Sequence, residues 1–342
     1  MKILKGFKFE DYNDDLFDNN GKISFTTGTK ISFPKNTKFI VPGFIDQHIH
    51  GANNSDTMDN TIDSIKNIST FLLSEGTTSY LPTTMTFDLK VVKEVIKKVN
   101  SYQLNQGENE AEILGIHLEG PFISKKYIGA QNPLYTKTPN IKEFDDINID
   151  NIIKLVTYAP EEDLNLEFTK HLKSKGIIPS VGHSNATCKE VAEAITKGLS
   201  NFTHFHNAST PHHHREPGVV SAGFSNKEIM VELIVDGIHL HPDAIKTTYN
   251  IKGWENITLI TDSMRAKGCP NGKYDLGGQT VIKKDYEARL ESGSLAGSVL
   301  GMNKAISNFI EFTGCATEEA FLMASYNPAQ HLGLDDRGII EE

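Results

Sequence analysis

Five short stretches carry side chains able to hold a cation or move a proton. FIDQHIHG sets Asp46, His48 and His50 at alternate positions, IHLEG ends in Glu119 before a glycine, PSVGH ends in His183, NFTH in His204, and LITD in Asp262. In a strand, side chains alternate with period two, so Asp46, His48 and His50 share one face while Ile45 and Ile49 take the other. Imidazoles and carboxylates without thiolates suit Zn²⁺, Fe²⁺, Mn²⁺ or Co²⁺ and do not choose among them. Such a cation lowers the pKa of a water beside it to about 7. A pair of cations about 3.5–4 Å apart needs a bridging ligand, and Glu119 is suited to that. An HxH pair recurs by chance, so its meaning depends on whether the chain brings all these residues to one place.

The elements around them supply that test. From Val41 onward, β-rich runs alternate with amphipathic stretches. The expected strands are Phe44–His50, Thr78–Pro82, Ile113–Glu119, Ile153–Tyr158, Ile177–His183, Asn201–His204, Met230–Asp236 and Ile257–Asp262. Between the first two, Ile62, Ile65, Ile68, Phe71 and Leu72 form a helical stripe. Val91, Val92, Val95, Ile96 and Val99 form another. Leu164–Lys175, Ala186–Lys197, Pro242–Tyr249, Met302–Phe312 and Glu318–Ser325 are also expected to be helical, whereas Pro211–Gly223 reads as a long loop. Alternating strands and helices imply parallel βαβ units. Eight of them fit a closed (β/α)₈ TIM barrel, where chemistry sits at the C-terminal strand ends. His48, His50, Glu119, His183, His204 and Asp262 all fall at that end. The expected division is a barrel domain over 41–342 and a small, reduced β domain over 1–40, to which a late insertion near 268–292 contributes.

Composition narrows the partners. The chain has 342 residues, 38% hydrophobic and 23% charged, with a net charge of −10. That acidity speaks against nucleic acid or an anionic membrane surface, since both need a basic face. Cys188, Cys269 and Cys315 are scattered and form no CxxC, as expected of a reducing, cytoplasmic setting. No signal-peptide pattern opens the sequence, and no apolar run is long enough to span a bilayer.

PGFIDQHIHG, HLEGPF, VGHSNA, THFHNAS, DGIHLHPD, LITDSM, GCPNGKYDLGG and LAGS occur in this order from about Val41 to His331. The set resembles the N-acetylglucosamine-6-phosphate deacetylases of the amidohydrolase superfamily. The resemblance implies that Glu119, His183 and His204 hold one divalent metal, that His48 and His50 hold a second, and that Asp262 carries the proton and touches metal. It implies that Asn207, Ala208, Arg215, His239 and the Leu295–Ala296–Gly297 turn hold an amino-sugar phosphate, and that Ala130 and Gln131 lie near the acetyl carbonyl. Where some relatives have histidine at position 131, this chain has glutamine, which donates a hydrogen bond but carries no proton. The implied reaction turns N-acetylglucosamine 6-phosphate into glucosamine 6-phosphate and acetate, in a homodimer. The family's small β-sandwich draws on both chain ends; here it is expected to reduce to Met1–Ile40 plus strands near Tyr274–Leu290. Two other readings stay open: a different amidohydrolase acting on N-acyl amino acids or cyclic amides, and a non-catalytic sugar-phosphate binder. His117, on the strand face of Glu119, is expected to be structural; His212–His214 read as a loop before Arg215, His171 as an inert surface residue, and Cys269 as a turn residue.

Overall fold

The computed structural model describes residues 40–340. The expectation for Met1–Ile40 lies outside them except at Ile40.

The fold is α/β, with parallel sheets that curl toward each other. One sheet has three strands, in the order Phe44–Ile49, Thr77–Pro82, Glu112–Ile113. The other has six, running from Ile116–Glu119 through Ile153–Tyr158, Ile178–Val181, Asn201–Phe202 and Met230–Ile234 to Ile257–Ile260. All these neighbours pair in parallel. Backbone hydrogen bonds cross both gaps between the sheets. On one side Asp262 N donates to His48 O (2.8 Å) and His50 N to Ser263 O (2.9 Å). On the other, Thr84 N donates to His117 O at 3.0 Å, and Thr83 forms a parallel bridge with His117.

The strands are buried on both faces, as parallel sheets require. The helices lie outside and turn apolar stripes inward. Ile65, Ile68 and Leu72 are buried from Ile62–Leu72, and Val92, Val95, Ile96 and Val99 from Leu89–Gln103. Their starts follow from capping. Thr61 accepts from Ser64 N, Asp88 accepts from Lys90 N, and Thr187 with Glu190 forms a reciprocal capping box on Cys188–Lys197.

Several expected boundaries shift. The run Ile113–Glu119 divides at Gly115, whose φ of 152° no side-chain-bearing residue adopts readily. Its first half pairs with Thr77–Pro82 and its second with Ile153–Tyr158. Part of the expected loop Pro211–Gly223 is helix, Val219–Ser225. The helix expected over Leu164–Lys175 begins only at Glu167, because Asn165 and Leu166 take left-handed φ of 56° and 58°. Ile141–Ile147 and Tyr326–His331 are helices not expected from the pattern.

The late segment forms a three-stranded antiparallel sheet, Gly272–Leu276, Gln279–Lys284 and Glu287–Leu290. Leu276, Val281 and Ala288 pack on Met85, Met264, Ala266 and Ala296 in a small second core. This sheet sits over the same end of the strands as the residues singled out above, since Leu276 lines a cavity shared with Glu119 and Asp262. No helix among the described residues is long and apolar enough to cross a membrane.

Candidate metal centre and substrate cavity

Glu119 closes its strand, His48 lies within its own, and His50 follows directly. His183, His204 and Asp262 come just past their strands, with φ of 47°, 31° and 46°. Non-glycine residues seldom take these values, and each costs about 1–3 kcal/mol that surrounding structure must offset. For Asp262 the offset is visible. Its N–H donates to His48 O, its carbonyl accepts from Ser298 N at 2.7 Å, and Gly297 sits close against it. A Cβ on Gly297 would stand 3.0 Å from the Asp262 carbonyl oxygen, on a backbone already at φ 58°.

The six side chains converge. His183 Nε2 and His204 Nε2 lie 3.2 and 3.1 Å from Glu119 Oε1, and 3.0 Å from each other. His50 Nε2 lies 3.2 Å from Glu119 Oε2 and 3.2 Å from Asp262 Oδ1. His48 Nε2 is 3.5 Å from both Glu119 Oε1 and Asp262 Oδ1. Among the described residues, two groups could hold a metal ion: His48, His50 and Glu119, and Glu119, His183 and His204. They share Glu119.

The donor chemistry fits a cation. His183 Nδ1–H donates to Tyr127 O (2.9 Å), which leaves a bare lone pair on Nε2. That lone pair faces the Glu119 carboxylate and His204 Nε2, a crowding of nitrogen and oxygen ligand atoms that a cation among them would satisfy. His48 Nε2 is fully buried and has no hydrogen-bond partner. The titration tendencies say the same. Burial works to lower the pKa of His50, yet Asp262 and Glu119 outweigh it and hold it up to about 9. Burial works to lower His48 too, and Asp262 and Glu119 raise it well above the usual range. Burial opposes ionisation of Asp262, but His48 and His50 bring it down to about 2. Glu119 is likewise held well below its usual range against burial by His48, His183 and His204.

Two buried side chains support this set. Gln131 accepts from Thr86 N (2.7 Å) through Oε1, so its amide nitrogen faces Glu119 and donates to Oε2 at 2.6 Å. His117 packs edge-on against the His48 ring with centroids 4.5 Å apart, and its two nitrogens engage Gln47 O and Thr157 Oγ1. Burial and the neighbouring His48 push its pKa to about 3, so it stays neutral, in keeping with a packing role.

The cavity above the cluster measures about 220 Å³. His50, Glu119, His183, His204 and Asp262 form its floor, and Ala130, Gln131, Asn207, Ala208, His239, Leu295 and Gly297 line its sides. His239 is oriented by a residue that sequence reasoning did not single out. Asp236 Oδ2 accepts from its Nδ1 (2.6 Å), while Asp236 Oδ1 accepts from Ile238 N and His239 N. That leaves His239 Nε2 to the cavity.

Two expected substrate contacts stand apart. Ala296 is buried in the second core and bonded through N–H to Ala288 O, off the cavity wall. Arg215 is exposed on its loop with its guanidinium against His214 Nε2, and does not line the cavity. His171 pairs with Asp145 near the surface, and Cys269 is half-buried with its thiol on Arg265 O. His206 bonds to Thr248 Oγ1 and is kept neutral by burial. The residue most plainly missed is Glu232, fully buried, whose Oε2 lies 3.2 Å from His48 Nδ1. Its signal was available: a lone carboxylate inside the apolar run MVELIV.

Known proteins are similar to this chain in sequence and in fold. A sequence model of the Amidohydrolase family matches residues 39–342. N-acetylglucosamine-6-phosphate deacetylase of Lysinibacillus sphaericus is 43% identical over 308 residues, covering 89% of this chain and 79% of that protein. The crystal structure of the Thermotoga maritima enzyme of the same name superposes with a TM-score of 0.82 at 40% identity, over 88% of this chain and 81% of that one. A mutant N-acetyl-D-glucosamine-6-phosphate deacetylase from Mycobacterium smegmatis, solved in complex with N-acetyl-D-glucosamine-6-phosphate, superposes with a TM-score of 0.83 at 30% identity, over 87% and 78%. With a family match over most of its length and relatives of this similarity, the chain belongs to the amidohydrolase family.

Proposed function

We infer that this protein hydrolyses the acetamide of N-acetylglucosamine 6-phosphate, releasing glucosamine 6-phosphate and acetate. The observation that carries the reading is one carboxylate, Glu119, shared by two imidazole pairs on the floor of a cavity that also exposes Asp262. Glu119, His183 and His204 would hold one divalent ion, and His48, His50 and Glu119 a second. Such ions activate water for attack and polarise the amide carbonyl.

The chain's own residues do the rest. Asp262, ionised at neutral pH, accepts a proton from the attacking water at a carboxylate oxygen. It then hands that proton to the nitrogen as the carbon–nitrogen bond breaks. His239, its ring held by Asp236, presents Nε2 to the substrate as a hydrogen-bonding group. Gln131 fixes the second Glu119 oxygen and has one further N–H for the acetyl oxygen. Asn207, Ala208, Leu295 and Gly297 surround the sugar phosphate.

The scaffold reading is a (β/α)₈ barrel, supported by the backbone hydrogen bonds across both gaps between the sheets. The sheet Gly272–Leu290 is read as part of a reduced β domain. Arg215 stands off the wall of its own cavity; in a homodimer its loop is available to the neighbouring copy, where a guanidinium would fork onto a phosphate. Three unpaired cysteines suit a reducing cytoplasm.

The test is acetate release by the full chain loaded in turn with Zn²⁺, Fe²⁺, Mn²⁺ or Co²⁺. The substrates are N-acetylglucosamine 6-phosphate, N-acetylgalactosamine 6-phosphate and unphosphorylated N-acetylglucosamine. Preference for the first supports the reading. Equal turnover of the unphosphorylated sugar points to a different amidohydrolase, and substrate binding without acetate release points to a binder.

A further inference from the structure

Glu232 is heavily engaged beside the site, and nothing in the reaction above uses it. It lies in the strand Met230–Ile234, fully buried. Four donors converge on its two oxygens. Gln47 Nε2 and Asn201 Nδ2 reach Oε1 at 2.6 and 3.0 Å, while His48 Nδ1 and His204 N–H each reach Oε2 at 3.2 Å. Gln47 is itself oriented, because its Oε1 faces His331 Nδ1 at 3.2 Å and its amide nitrogen must therefore turn toward Glu232. A carboxylate surrounded in this way accepts only, so the proton between it and His48 sits on Nδ1. In the neutral ring the other nitrogen carries the lone pair, and that nitrogen, Nε2, is the buried, unpartnered atom 3.5 Å from Glu119 and Asp262.

We propose that Glu232 is a positioning residue that fixes His48 as its Nδ1–H tautomer and so makes the His48, His50 and Glu119 group competent to hold a second divalent cation. The proposal rests on the two-cation reading above. Its chemistry is general: an imidazole ligand whose far nitrogen donates to a carboxylate is oriented and made more basic toward a metal. Gln47, Asn201 and the His204 N–H keep that carboxylate charged and aligned. An amide at 232 could not satisfy four donors. One face would present N–H groups, and His48 would be left either without an acceptor or with its proton moved to Nε2, facing the other ligands.

The experiment is a zinc titration of the full chain by calorimetry, with elemental analysis after gel filtration, for wild type, Glu232→Gln and Glu232→Asp. Circular dichroism checks folding. Wild type should take two ions. Glu232→Gln should keep the first and bind the second about ten- to hundredfold more weakly. Glu232→Asp retains the charge but withdraws the oxygens from His48, and should show the same loss; it decides the matter if the glutamine variant does not fold. A merely structural role would weaken both ions alike or neither, and either result overturns the proposal. Two unchanged ions in both variants would overturn it while leaving the two-cation reading intact. Fewer than two ions in wild type would fell the reading itself, and the proposal with it.

Discussion

Replacing Asp262 with asparagine separates its chemistry from its place in the fold. Asparagine has nearly the same volume and, like aspartate, tolerates the left-handed backbone; the φ of 46° at this position therefore adds no strain. The backbone bonds that seat the residue, from Asp262 N to His48 O and from Ser298 N to Asp262 O, do not involve the side chain. Neither group of side chains able to hold an ion requires Asp262. What changes is the carboxylate 3.2 Å from His50 Nε2, which loses both its charge and its ability to take a proton. A positioned acid–base group contributes about 10²–10⁴-fold, or about 3–5 kcal/mol of barrier. Acetate release from N-acetylglucosamine 6-phosphate should fall by that factor in kcat, with KM for the sugar phosphate, metal content and Tm close to wild type. A kcat within tenfold of wild type at equal metal content would refute the assignment of Asp262 as proton carrier. A matching loss of bound metal would show instead that it is chiefly a ligand.

Gly297→Ala should displace the Asp262 carbonyl, because the new Cβ would stand 3.0 Å from it at φ 58°. The expected result is a stability loss of about 1 kcal/mol or more by denaturant titration and a larger proportional fall in kcat, and wild-type kcat would contradict the coupling. Lys252 is buried, donates to the carbonyls of Gly223, Asn226 and Ile229, and is pushed down to about 8 by burial. Between pH 8 and the ordinary lysine value of 10.5 the unfolded chain holds this proton while the folded chain has released it, so stability rises with pH in that window. Relative to Lys252→Met, wild type should gain up to about 3 kcal/mol from pH 8 to 10.5; a constant difference by urea unfolding would refute the shift.

The cluster at the strand ends could be read from the sequence because its residues break the pattern around them. His48, Glu119, His183, His204 and Asp262 are polar groups ending apolar runs, and strand-end position is a property that chain order preserves. What chain order hides is fit against distant residues. Val219–Ser225 has a glycine, two serines and two valines, poor material for a helix, and no side-chain cap. It is helical because Val219 to Gly223 are buried, Gly223 so tightly that a Cβ there would stand 2.4 Å from the Phe205 ring. The off-wall positions of Arg215 and Ala296 are equally tertiary facts, since Ala296 falls within the LAGS motif and still points into the second core. Glu232 was visible as an oddity, but its meaning depends on His48, which lies 184 positions away.

The contrast in backbone shape between the two ligand groups bears on redesign. His48 and Glu119 sit on ordinary extended chain, where the backbone itself sets no limit on which side chain stands there. His183 and His204 stand on backbone that favours a short alphabet of glycine, asparagine, aspartate and histidine. An effort to retune which ion such a site would prefer therefore has more backbone freedom on Phe44–Ile49 than after Ile178–Val181 and Asn201–Phe202. At those later positions a new ligand must first be one that the twisted chain will accept.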